Sequence, residues 1–419
     1  MCLILVQTYL CHVRICINCY IKRTKGESKL TERKVKLGLI PRIIIGIIFG
    51  LILGSFAPEW LNRIFVTFTS IFGNFLNFVI PLLIIGFVTA GIAELGTGAG
   101  KLLGITVGLA YVFTLVSGLF AYFVGVSLLP TIITSEITSN IAGTAAELES
   151  YFIIEMPPIM HVMSALLISF IMGLGISVTK SAPLRKAIED FQSIISMLIE
   201  NIVIPLLPIY IVGVFINMTH TGQVSTVFSV FWKVFIMVIT MHLLIIVLQF
   251  AIGCGISKKG LFKCLKYQTT GYMTALGTQS SAATIPVNVG CSEKMGVSKG
   301  IREFVIPLCA TVHLSGSTIT LTTCAMAVMM LNGLPIDLSI FTGFIALLGI
   351  TMVAAPGVPG GAVMAALGVL ETVLGFTEPM LALMIALYIA QDSFGTACNV
   401  SGDQAVAMIV DTMQGKKQK

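Results

Sequence analysis

The chain has 419 residues, of which 56% are hydrophobic and only 11% charged, with a formal net charge of +6. A soluble domain carries about twice that charged fraction, so the composition excludes a water-soluble globular fold and points to an all-α polytopic membrane protein. The basic residues cluster between apolar runs and accompany no RNA- or DNA-binding motif, which excludes nucleic acid as a partner.

In chain order, residues 1–36 read as an N-terminal cytoplasmic extension. Met1–Tyr20 has neither a signal-peptide cleavage site nor enough length to span well, so residues 1–33 are also compatible with a misassigned start. Cys16 and Cys19 form a CxxC pair without a partner pair, too little for a zinc site. The other cysteines are scattered and read as small apolar residues. Apolar spans of bilayer length follow near 37–57, 64–93, 102–129, 160–178, 194–217, 225–253, 303–331 and 380–410. Two further apolar stretches, 268–291 and 340–370, are interrupted by Ser, Gly and Pro. Basic clusters between Lys22 and Arg42, at Lys180/Arg185/Lys186, at Lys258–Lys266, at Lys294–Arg302 and at Lys416–Lys419 mark cytoplasmic faces. The acidic 130–158 loop is then external. Both termini fall inside, which requires an even number of crossings, and eight fits.

The first half carries few intramembrane polar residues and reads as scaffold. Val79–Leu83 and Val203–Leu207 both spell VIPLL, each proline expected to kink its segment, and Glu200 and Asn201 should pair locally or lie near a membrane face. The second half repeats one plan, a broken hairpin followed by a helix with a polar centre, at 262–331 and again at 338–412. Inverted-repeat transporters bind substrate where such discontinuous segments meet, because irregular backbone at membrane depth must be covered by protein or water.

Four motifs carry the chemistry. In the first hairpin, Gly277–Val287 places Ser280, Ser281 and Thr284 near a tip, with Pro286 expected to stop the first arm or open the second. In Pro307–Thr318, Gly316 between Ser315 and Ser317 is expected to unwind the helix and free carbonyls for a hard monovalent cation. His313 there is expected to bond within the bundle while its backbone carbonyl serves the cation; the alternative is proton coupling through its ring. Ala355–Met364 contains Pro356, Gly357, Pro359, Gly360 and Gly361, which rule out a continuous helix and suit a gate with free N–H groups. Finally, Asp392, Thr396, Asn399 and Asp403 fall at steps of 4, 3 and 4, within roughly 60° of one another on a helix. A carboxylate at mid-membrane costs about 2.5–3.5 kcal/mol or more, so this stripe should face a ligand. Asp392 suits an ammonium, while Asp403 and the Asn399 carbonyl suit a cation. An aspartyl-protease dyad is excluded, because eleven residues of helix separate the two carboxylates by about 16 Å.

Together these motifs resemble the dicarboxylate/amino-acid:cation symporter family, and the resemblance covers about residues 37–412. It implies eight transmembrane helices, two re-entrant hairpins, inverted repeats, a homotrimer in the plasma membrane and an elevator motion. Residues 37–253 would be mainly scaffold, with the helices near 102–129 and 225–253 joining a transport core at 254–412; residues 413–419 would be a cytoplasmic tail. Residue by residue it implies substrate contacts at Ser280, Ser281, Ser317, Val358, Gly361, Asp392, Gly395, Thr396 and Asn399. It implies one sodium site at Cys309, His313, Asn399 and Asp403, and another at Thr311, Leu314, Met352 and Ala355. The ligands are thus Na⁺ and a small molecule, with no organic cofactor and no catalytic residue. Two departures stand out. Acidic-substrate members carry Arg where this chain has Gly395, which favours a small neutral amino acid such as serine, threonine or alanine. The Asn-Met-Asp-Gly-Thr of acidic amino-acid members is here His313, Leu314, Ser315, Gly316, Ser317, which removes one carboxylate and suggests one or two coupled sodium ions. A dicarboxylate, an acidic amino acid or cystine is the alternative solute.

Overall fold

The computed structural model describes residues 39–95, 101–133, 148–222, 224–352 and 360–415. The extension 1–36, Cys16 and Cys19, Glu136 and Glu147 of the acidic loop, Ala355, Val358 and the last four residues lie outside the described residues. Every regular element among the described residues is helical.

Helices α1 (Leu39–Phe56), α2 (Glu59–Leu95), α3 (Lys101–Ile132) and α4 (Val162–Thr179) come first. Then α5 (Ala182–Leu198) runs through a wide turn, Ile199–Val203, into α6 (Ile204–His220), and α7 spans Val224–Ser257. Next are α8 (Leu261–Thr278) and α9 (Ser281–Lys294), followed by α10 (Lys299–Val312) and α11 (Ser315–Leu331). The chain ends with α12 (Leu338–Thr351), α13 (Gly361–Leu374) and α14 (Glu378–Gly415). Among the described residues six segments, α2, α3, α5–α6, α7, α10–α11 and α14, are long and apolar enough to cross a membrane. At 18 residues each, α1 and α4 reach about 27 Å, against a hydrocarbon core of about 30 Å. Large apolar side chains are exposed in helical stripes, such as Leu167, Ile171, Leu174 and Val178 on α4 and Phe228, Trp232 and Ile236 on α7. Such faces suit lipid, not water.

Several sequence expectations change in detail. Helix α2 runs on through Pro81, whereas Pro205 directly follows the wide turn, so the two VIPLL echoes act differently. Glu200 and Asn201 are exposed in that turn, and Asn201 donates to its own helix at Met197 O, 2.8 Å. Pro286 neither stops α8 nor opens α9; it lies inside α9. The reversal is made instead by Gln279, in the left-handed region at φ 54°, and by Ser280, whose hydroxyl accepts from Ala283 N at 3.2 Å. That caps one of the amides an α-helix start leaves unpaired. The break before α11 falls at His313–Leu314, ahead of Gly316, which is already helical.

Helix α14 is the hub. It is buried almost continuously from Met380 to Val410 and packs against α7, α8, α10 and α11. Helices α1, α2, α4, α5 and α6 pack chiefly on one another, and α3 packs with α11, α12 and α14. The hairpin pairs α8/α9 and α12/α13 each pack arm against arm.

Candidate functional site

The site forms where the break between α10 and α11 meets the polar stripe of α14. Gly316 makes the approach possible. A methyl there would sit 2.6 Å from Cys398 Cβ and closer still to the Gly395 carbonyl oxygen. Backbone therefore packs on backbone, and α11 starts directly against α14. Gly316→Ala should destabilise the protein by about 1–3 kcal/mol through overpacking. A thermal-unfolding measurement on purified protein checks this, and an unchanged melting temperature would refute the close-approach role.

Asn399 sits at that contact. Its Oδ1 accepts from Gly316 N at 2.7 Å and Ser317 N at 3.3 Å, and its Nδ2 donates to Ser317 Oγ at 3.0 Å. The side chain thus caps α11 from a neighbouring helix. Tyr388 also donates to Ser317 Oγ, at 2.9 Å. The Tyr388 hydroxyl is also within hydrogen-bond reach of the Asp392 carboxylate, so its single proton has two competing acceptors, Ser317 Oγ and Asp392. The Thr396 hydroxyl makes no hydrogen bond among the described residues.

Asp392 is buried, 6% exposed. Its Oδ2 accepts from Gly360 N at 2.7 Å. Gly360 is in the left-handed region at φ 79° and opens α13 at Gly361, so the carboxylate ties the second hairpin to α14. Of the other stripe positions, Gly395 has ordinary space: a Cβ there would lie 3.7 Å from Ser317 N and Thr320 Oγ1.

Asp403, about three turns further along the same face, is 1% exposed. Its Oδ1 meets His313 Nδ1 at 3.0 Å, while Oδ2 has no hydrogen-bond partner among the described residues. A buried carboxylate oxygen left bare costs more than a kcal/mol, and a small cation is the chemistry that satisfies it. Backbone carbonyls at the break after α10 would have to supply the rest of such a set, and two of them are already engaged. Cys309 O already accepts from His313 N at 2.9 Å, and Leu314 O accepts twice from Thr318, from its N and Oγ1, each at 2.9 Å. Met352 ends α12 and is fully buried. Ser280 and Ser281 occupy the partly exposed tip between α8 and α9; no hydrogen bond between this tip and α14 is among those described.

The motif reading missed several bracing residues. His242 Nε2 meets Gly316 O at 3.0 Å and Thr320 Oγ1 at 3.1 Å, and Gln249 Nε2 donates to Ser315 Oγ at 2.9 Å. Both lie on α7, seven residues apart, so a polar pair on one helical face inside an apolar run was the available signal. The first hairpin is riveted to α14 by amides. Asn288 Nδ2 donates to Val400 O at 2.7 Å, Gln404 Nε2 to Asn288 O at 2.8 Å, and Ser292 Oγ to Gln404 Oε1 at 2.6 Å.

Sequence comparison matches the description "Sodium:dicarboxylate symporter family" over residues 39–413. The chain belongs to this family. Relatives include the serine/threonine transporter SstT of Acinetobacter baumannii strain AYE, 26% identical over 394 residues, covering 90% of this chain and 97% of that protein. The serine/threonine transporter SstT of Acinetobacter baylyi is also 26% identical, over 396 residues, with 90% of this chain and 98% of that protein covered. Family and relatives are transporters, so this symporter-family member is a membrane transport protein and not an enzyme.

Proposed function

We propose that the chain is a sodium-coupled symporter for a small neutral amino acid of the serine/threonine type. One observation carries the choice of solute. Asp392 offers a buried carboxylate for an ammonium, yet no Lys or Arg is among the buried side chains of the described residues. A substrate with a second carboxylate would carry an uncompensated charge into the site, which costs several kcal/mol. A zwitterion matches Asp392 with its ammonium, and its carboxylate meets the Ser317 hydroxyl and the N–H groups of the second hairpin around Val358–Gly361. Ser280, Ser281, Thr396 and Asn399 complete the substrate set. Asp403, with carbonyls from Cys309, His313 and Asn399, holds one sodium ion. Thr311, Leu314, Met352 and Ala355 are the weaker candidate for a second, because the Leu314 carbonyl is already doubly engaged.

In this reading α1, α2, α3, α4, α5–α6, α7, α10–α11 and α14 make eight crossings with both termini cytoplasmic, and α8–α9 and α12–α13 are re-entrant hairpins. The packing preferences among helices support a scaffold of α1, α2, α4, α5 and α6, against which the remaining helices move as a unit in a trimer. At 100 mV and a tenfold gradient one Na⁺ supplies about 3.7 kcal/mol, enough for roughly a few-hundred-fold accumulation of a zwitterion.

Proteoliposomes with an inward sodium gradient should accumulate labelled serine, with threonine and alanine competing and aspartate and cystine failing to compete. Strongest competition by aspartate would overturn the neutral-substrate reading. Uptake driven by a pH gradient without sodium, and lost in His313→Asn, would replace sodium by protons.

A further inference from the structure

We infer that His313 is a positioning residue for the cation, the middle of a buried relay that aims Asp403. The inference rests on the cation reading of Asp403 and extends it from the His313 carbonyl to the His313 ring and to Gln249, Ser315 and Gly402, which lie outside the binding set. The relay runs Gln249, Ser315, His313, Asp403, all between 0% and 2% exposed. Gln249 Nε2 donates to Ser315 Oγ at 2.9 Å, Ser315 Oγ lies 2.8 Å from His313 Nε2, and His313 Nδ1 lies 3.0 Å from Asp403 Oδ1 and 3.2 Å from Asn399 O. Both neighbours of Nδ1 accept only, so Nδ1 carries the ring proton. Ser315, already accepting from Gln249, gives its proton to Nε2. One direction of donation therefore passes from α7 through the break to α14, and it fixes tautomer, ring plane and carboxylate together.

The surroundings hold the ring in that plane. Phe113 of α3 packs edge-on at 6.2 Å between ring centroids. Leu314 N, next in chain, donates to Thr114 Oγ1 at 3.3 Å. Gly402 supplies the room: a methyl there would overlap both His313 Cε1 and Gln249 Oε1. The glycine beside Asp403 is thus the cradle of the imidazole, and without it the ring is driven off the carboxylate. The consequence is a division of labour within Asp403. Oδ1 is spent on His313, and only Oδ2, without a partner among the described residues, faces the ion.

The test is sodium binding without transport. Purified protein is titrated with NaCl against choline chloride, with no amino acid present, and the rise in melting temperature is read as a half-saturation concentration. Asn places its amide nitrogen where His carries Nδ1, and Gln places its own where His carries Nε2. His313→Asn should therefore stay within about threefold of wild type, while His313→Gln, His313→Ala and Gly402→Ala should weaken sodium by roughly 10–100-fold, the usual range for partners that orient a metal ligand. Ser315→Ala, the loss of a single oxygen, keeps the fold secure and should weaken sodium severalfold. Wild-type half-saturation in His313→Gln or Ser315→Ala, or His313→Asn as weak as His313→Ala, overturns the relay. Asp403→Asn should weaken the sodium response more than any of these, leaving at most that of the weaker second site. A wild-type protein with no sodium response would instead bring down the cation reading on which the relay stands.

Discussion

Asp392→Asn should lower the affinity for serine by roughly two to four orders of magnitude, while the protein remains folded and responsive to sodium. The magnitude follows from leaving a buried ammonium without its counter-charge, about 3–5 kcal/mol, at about 1.4 kcal/mol per tenfold. The fold should survive because an asparagine oxygen still accepts from Gly360 N, the contact that Asp392 Oδ2 makes at 2.7 Å. Calorimetric titration of serine into purified protein measures the loss. The sodium-induced shift in melting temperature, carried by Asp403 a full eleven residues further along α14, serves as the internal control. Near-normal serine affinity would remove Asp392 from the substrate site.

The second large effect is a change of substrate. Gly395→Arg should let aspartate compete with serine, improving aspartate inhibition by about 10–100-fold, from the roughly 1.5–3 kcal/mol of a charge-assisted hydrogen bond. The substitution is sterically admissible at its root, since a Cβ at 395 finds Ser317 N and Thr320 Oγ1 at an ordinary 3.7 Å. The new guanidinium adds a buried charge within one helical turn of Asp392 and crowds the site, so the ligand-free variant should melt lower than wild type and be rescued by aspartate more than by serine. Competition in proteoliposomes and melting curves with each amino acid check both halves. A folded variant that still binds serine and ignores aspartate would show that selectivity is set elsewhere.

Much of the site was legible from periodicity. Asp392, Thr396, Asn399 and Asp403 share one face of a single helix, as their spacing requires, because 3.6 residues per turn is a property of the backbone and not of its neighbours. The breakers in 355–361 likewise announced that α12 and α13 are separate helices. What periodicity missed were the cross-helix partners. Tyr388 was findable, one turn before Asp392 on the same stripe. His242, Gln249 and Gln404 gave only a faint signal, since an isolated amide or imidazole in an apolar run does not say which helix it answers.

Gly316 shows why. Flanked by serines it reads as a place to unwind, yet it is helical and serves contact with Gly395, while the break sits at His313–Leu314. Glycine permits both roles, and only the nearness of a second backbone selects one. Asn399 is similar: the sequence marks it as a ligand, and the fold employs its side chain to cap α11.

The sequence alone determined the membrane environment, the helical stripes and the places where helix is impossible, because each follows from composition or local geometry; the weight placed on Gly395 came from the family resemblance. The tertiary structure alone decided which oxygen of Asp403 is bound and which is bare, which helix end Asn399 caps and what Gly402 makes room for. Those depend on which helices lie against α14, and the free energy that sets this is spread over the packing of the whole bundle.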